Sequence, residues 1–155
     1  MIQILKKDNA GMIEDLQFGS TNEIYVKNIL KDLHPNHKVL FHKGTFSTFD
    51  FKVVDSLGNI VHEYELKSRR IKSNTYKTLM FGENKLRYVE NKYEQYGGNY
   101  TFLWYCCFDN VLLGWDWEKG STEFNLGMGQ NKIRNEKAKK CVYVKTADMY
   151  EIKYE

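Results

Sequence analysis

Proline is nearly missing from this chain: Pro35, in "HPNH", is the only one in 155 residues. No proline-rich linker is therefore present, and no low-complexity tract or internal repeat is seen either. Cysteine is scarce and odd in number: Cys106, Cys107 and Cys141, without a C-x-x-C pair. That spacing excludes a disulfide framework and a zinc finger. Cys106 and Cys107 lie in an apolar run, where buried free thiols fit a reducing compartment. The histidines of "HPNH" and His42 lack zinc-site spacing, and "HEYEL" lacks the second histidine of H-E-x-x-H. "NLGMGQNK" contains a G-x-G but no strand-to-helix context for a phosphate loop. No apolar run approaches the roughly 18 residues of a membrane span, and "MIQILKKDNAG" has no signal-peptide layout. The expectation is an intracellular protein, in cytoplasm or nucleus, with no membrane partner.

What is present is a globular composition, 42% hydrophobic and 28% charged, over a length suited to a single domain spanning 1–155. The net charge of +3 is mild, but its distribution is uneven. Lys67, Arg69, Arg70, Lys72, Lys77, Lys85, Arg87 and Lys92 face only Glu83 and Glu90 within their stretch. Such a local excess suits a polyanion, or else a solvated face.

"GSTNEIYVKNILKDLH" has Tyr25, Ile29 and Leu33 at helical spacing, with Ser20 and Glu23 as a capping box at its start and Pro35 as its stop. "TFSTFDFKVVD" alternates like a strand, with Phe49, Phe51 and Val53 on one face and Asp50 on the other. The turn cluster "DSLGN" leads into a returning strand, "IVHEYELK", so 45–67 predicts a hairpin or meander. "GENKLRYVENKYEQYGG" predicts a second helix with Leu86, Val89, Tyr93 and Tyr96 inward. "YTFLWYCCF" predicts a strand covered on both faces, and "NVLLGWDW" its antiparallel partner. Residues 120–140 predict a long loop, and "CVYVKTADMYEI" a closing strand with a short turn or helix. The fold class is α/β (α+β): a mixed β-sheet flanked by helices.

The chemistry concentrates in "HEYELKSRR". On a strand, Glu63, Glu65 and Lys67 share one face, with Tyr64 and Leu66 on the other. Burying such charges is costly unless they are used or paired. If the hairpin closes through 55–59, Asp50 comes near Glu65. Two neighbouring carboxylates repel unless a proton or a cation intervenes. Mg²⁺ favours such oxygens, and a nearby lysine can position a water for attack on a phosphodiester.

Asp50, then fourteen residues, then Glu65-Leu66-Lys67 resembles the PD-(D/E)XK nuclease superfamily, which is similar to type II restriction enzymes and archaeal Holliday junction resolvases. The resemblance covers about residues 19–117 and implies a restriction-endonuclease-like core in the order αβββαβ. It implies that Asp50 and Glu65 hold Mg²⁺ (Mn²⁺ substituting), that Leu66 lends its carbonyl, and that Lys67 assists the water. It also implies that Glu23 on the first helix reaches the metal. Phe49 stands where many members have proline. "ELKSRR" resembles the basic continuation of the resolvase branch, and Arg69, Arg70, Lys72, Lys77 and Lys85 would hold the DNA backbone. The implied activity is a metal-dependent endodeoxyribonuclease acting as a homodimer, structure-specific as in junction resolution, or of a compact homing or restriction type.

Plainer roles stand beside these. Glu23 can merely close the capping box, Glu63 can face solvent, Asp55 can serve the turn, Lys67 can form a structural ion pair, and Lys85 can be an exposed helix lysine. The rival from another class is a catalytically inactive nucleic-acid-binding module. A third is a protein-interaction domain using the aromatic-rich strands.

Overall fold

The first helix does not begin where its capping signal predicts. The computed structural model describes residues 2–41, 49–118, 125–129 and 139–153. In it α1 spans Ile2–Leu33, so Ser20 and Glu23 lie inside the helix and cap nothing. The reason is one of magnitude. Gly19 costs a helix only about 1 kcal/mol against alanine, too little to stop it when residues on both sides are helix formers. The helix buries Val26, Ile29 and Leu30 and ends before Pro35.

β1 (Lys38–Phe41), β2 (Phe51–Val54) and β3 (Ile60–Ser68) form an antiparallel meander. β2 is shorter than its alternation predicts, and part of the predicted strand, 45–48, lies outside the described residues. A bend at Phe49 and Asp50 separates Phe49 from Phe51 and Val53, and it packs in a different core cluster. The β2–β3 turn closes as its residues require. Asp55 Oδ1 accepts from the amides of Leu57 and Asn59, both at 2.9 Å, and Gly58 takes φ 84°.

β4 (Thr78–Gly82) arises beside a polar stretch, where no strand was predicted. α2 (Glu83–Tyr96) follows and stops at Gly97, φ 64°. It carries the chain over the sheet, so β5 (Thr101–Cys107) runs parallel to β3. β6 (Leu112–Asp116) returns antiparallel, as expected. β7 (Asn125–Gly129) falls within the predicted loop, whose residues 120–124 and 130–138 lie outside the described ones. β8 (Lys139–Lys145) and β9 (Tyr150–Glu151) follow.

One sheet has the order β1-β2-β3-β5-β6-β9, and a smaller one β4-β8-β7. The expected α-β-β-β-α-β order is present as α1-β1-β2-β3-α2-β5, with β4 inserted before α2. The protein is thus a mixed α+β fold with a mixed sheet and helices. Hydrophobic residues on one face of the large sheet pack with α1: Phe51, Val53, Tyr64 and Tyr105 against Val26 and Leu30. The other face joins α2 and the small sheet: Phe102, Trp104 and Cys106 pack with Leu86, Val89, Phe81 and Val142. Each fully buried side chain of this kind contributes about 1.5–3 kcal/mol. Among the described residues no helix is long and apolar enough to cross a membrane.

Candidate active site

The hairpin register builds the site. Phe51 pairs with Tyr64, so one further antiparallel step sets Asp50 opposite Glu65. The Asp50 amide donates to the Tyr64 carbonyl at 3.1 Å, and the Leu66 amide donates to Asp50 Oδ2 at 2.7 Å. Tyr64 and Leu66 therefore turn their backbone groups toward the β2 edge. The Leu66 carbonyl shares that edge with its own amide, beyond the last paired residue of β2.

Glu63, Glu65 and Lys67 lie on the α2 side of β3. Glu65 is only 4% exposed, and Glu63 only 5%. Glu63 is thus not the solvent-facing residue its strand position predicted. α2 crosses above it, and the Tyr88 hydroxyl donates to its carboxylate at 3.2 Å. Burial raises the Glu63 pKa, while the Tyr88 hydrogen bond and the charges of Lys92 and Lys52 pull it down. The Tyr100 hydroxyl is buried close enough to feel the same charge, although no partner of good geometry reaches it. Glu65 Oε1 accepts from Lys85 Nζ and lies 3.2 Å from Lys67 Nζ. Burial, and then the facing Glu65 charge, push Asp50 up to about 6, while the Leu66 amide, Lys85 and Lys67 oppose the rise. The result is a buried Glu65 carboxylate beside a half-buried Asp50, with two ammonium groups at Glu65.

The other expected residues divide by location. Glu23 is half-buried on α1 and shares no hydrogen bond or ion pair with Asp50 or Glu65 among the described residues. Arg69 is exposed, and its guanidinium donates to the Ser68 carbonyl at 3.2 Å. Arg70 turns to α1, where Glu14 and Asp15 hold it at 2.7 and 2.9 Å. Lys72 and Lys77 are exposed on the segment between β3 and β4. Lys85 sits inside the site and not on the outer face of α2. Asp55 serves the turn, as expected.

Tyr88 and Tyr100 are neighbours of the charged cluster that sequence reasoning missed. A signal existed: Lys85 and Tyr88 are three apart on a helix, while Glu65 and Glu63 are two apart on a strand. Their rises, about 4.5 Å and about 6.6 Å, are close enough for two helix side chains to meet two strand side chains.

Two carboxylates and a backbone carbonyl are hard oxygen donors of the kind Mg²⁺ favours, an ion that usually retains several waters. Among the described residues no three His, Cys, Asp or Glu side chains cluster as a metal site, so backbone and water would complete the shell. Lys85 already neutralises one of the oxygens such an ion would use.

No family model and no curated protein matches this chain. A solved structure similar to it is a Holliday junction resolvase from the archaeal hyperthermophile Archaeoglobus fulgidus, with a TM-score of 0.41 and 8% identity. The match covers 76% of this chain and 88% of that one. The case for the site therefore stands on its own distances and charges.

Proposed function

We propose that the chain is a metal-dependent endodeoxyribonuclease with Asp50, Glu65, Leu66 and Lys67 as its centre. One observation carries this: Asp50, just before β2, accepts from the Leu66 amide at 2.7 Å beside Glu65, and Lys67 lies 3.2 Å from Glu65 on the same strand face. Two neighbouring carboxylates repel each other, and a divalent cation relieves that repulsion.

In this reading Asp50 and Glu65 hold Mg²⁺ or Mn²⁺, and the Leu66 carbonyl adds a third oxygen. When bound, the ion polarises the scissile phosphate and acidifies a water. Lys67 holds the attacking water and stabilises the charge that develops on the phosphate. Lys85, paired with Glu65, would turn to a phosphate oxygen if that carboxylate held the ion. Arg69, Lys72 and Lys77 hold the DNA backbone, with Arg70 joining if it leaves α1. Glu23, half-buried on α1, would complete the shell. A homodimer, and branched or palindromic DNA, belong to the same reading. The likeness of Lys67 and Lys85 to a structural ion-pair cluster favours the second reading, an inactive DNA-binding module.

Cleavage of labelled duplex, four-way junction and single-stranded DNA in Mg²⁺ or Mn²⁺ decides between them. The wild type is expected to cut, and Lys67→Ala to lose at least about a hundredfold in rate while still binding DNA. Salt-dependent DNA binding without metal-dependent cutting would establish the inactive module instead. Sedimentation with and without DNA tests the dimer.

A further inference from the structure

Beside Lys67 a cleft of about 360 Å³ opens where the two sheets meet. That volume is at the small end of ligand pockets, roughly 300–1,000 Å³. Its lining is largely apolar, with Met80 from β4, Tyr76 from the segment before it and, beneath them, buried Trp104 from β5. Its cations are Lys67, Arg69 and Lys77, and no acidic residue lines it among the described residues. Tyr76 is 62% exposed, an aromatic ring left in water on a connecting segment. Trp104 is 1% exposed, and its indole N–H is buried without a hydrogen-bond partner. Trp104 is also the β5 neighbour of Glu65 in the parallel ladder, which puts the cleft next to the candidate centre.

An apolar cleft with a cationic rim and an exposed aromatic ring complements a nucleotide: a base to stack on Tyr76 beside Met80, and an anionic phosphate for Lys67, Arg69 and Lys77. A base stacked inside a duplex cannot enter it. Leaving the stack is cheapest for a base that is already unpaired. We propose that this cleft receives one unstacked base of the DNA strand whose phosphate lies at Asp50 and Glu65, so that the preferred substrate carries an unpaired nucleotide beside the cut. The inference rests on the nuclease reading for the position of that phosphate, and the cleft itself can be tested apart from it.

The full chain is titrated, in Ca²⁺, with a matched duplex and with the same duplex carrying one unpaired 2-aminopurine. The bulged duplex is expected to bind about tenfold more tightly, the scale of one base–aromatic stack, with quenching of the 2-aminopurine emission. Tyr76→Ala is expected to lose most of that preference with an unchanged Tm and unchanged affinity for matched duplex. Equal affinity for the two duplexes, or a preference that Tyr76→Ala leaves intact, overturns the inference. Cleavage in Mg²⁺ is then scored on both DNAs. Cutting with equal affinities leaves the nuclease reading standing and removes the base pocket. Preference without cutting keeps the base pocket and removes the nuclease reading.

Discussion

Burial and the facing Glu65 hold the Asp50 carboxyl up at about 6, against 3.8 when unperturbed. A raised carboxyl pKa means that the folded chain resists this charge. Its contribution to stability is therefore full below about pH 4 and is lost as pH rises through about 6. Asp50→Asn is expected to be more stable than wild type at pH 7.5, by on the order of 1 kcal/mol, with no difference at pH 4. Urea denaturation at the two pH values measures it. Mg²⁺ is the alternative relief: it should raise the wild-type Tm at pH 7.5, much less at pH 4.5, and little in Asp50→Asn. His62 works with the opposite sign. Burial and the neighbouring His34 and His37 lower it to about 4, so its contribution is present above 6.5 and is lost as pH falls toward 4. His62→Gln is expected to flatten the acid limb of the stability curve in that window.

At the scale of elements, α2 is a polar lid on the charged face of β3. Lys85 and Tyr88 reach Glu65 and Glu63, and Lys92 sits over the Tyr88 and Tyr96 rings at 5.4 and 5.6 Å. Tyr88→Phe leaves the buried Glu63 without that donor and should cost about 1–3 kcal/mol at pH 7. The loss should shrink at pH 5, because the raised Glu63 pKa lets the carboxyl take up a proton sooner. Lys85→Met removes the cation that competes for Glu65, so Mn²⁺ should bind severalfold more tightly by calorimetry while cleavage slows. The hairpin, α2 and the β5–β6 pair were legible in the sequence because alternation, helical spacing and turn residues agree there. Glu63's burial was not, because strand alternation gives a residue's face and not what crosses above it. β4 was hidden because five residues beside a polar stretch make a weak period, and its partner β8 lies far along the chain. The start of α1 was misplaced because a capping box inside a long helix looks the same as one at its end.

Over the whole molecule, the basic stretch after β3 divides between two directions. Arg69 and Lys77 open on the cleft beside Lys67, whereas Arg70 is tied to α1. DNA affinity should fall steeply with salt, each phosphate contact adding about 0.9 to the slope of log K against log salt. Arg69→Ala with Lys77→Ala should flatten that slope measurably, and Arg70→Ala should flatten it less, since Glu14 and Asp15 already compete for its charge. The positions of Asp50, Glu65 and Lys67 followed from strand period and one turn. The meeting of two sheets around Trp104 did not, because it depends on the pairing of β4 with β8 across about sixty residues of sequence.

Cys106 and Cys107 are neighbours in β5, yet the strand's period sends Cys106 to the α2 layer and Cys107 to the α1 layer. Two adjacent thiols on opposite faces cannot act as a pair toward a soft metal or an oxidant. Burial also pushes them up to about 12 and about 11, so both are nearly unreactive while their layers are closed. The chain thereby contains its own two-channel clock of unfolding. Under pulsed alkylation in rising denaturant, mass analysis of the 106–107 peptide records which side of the sheet opens to water first, and whether the two open together.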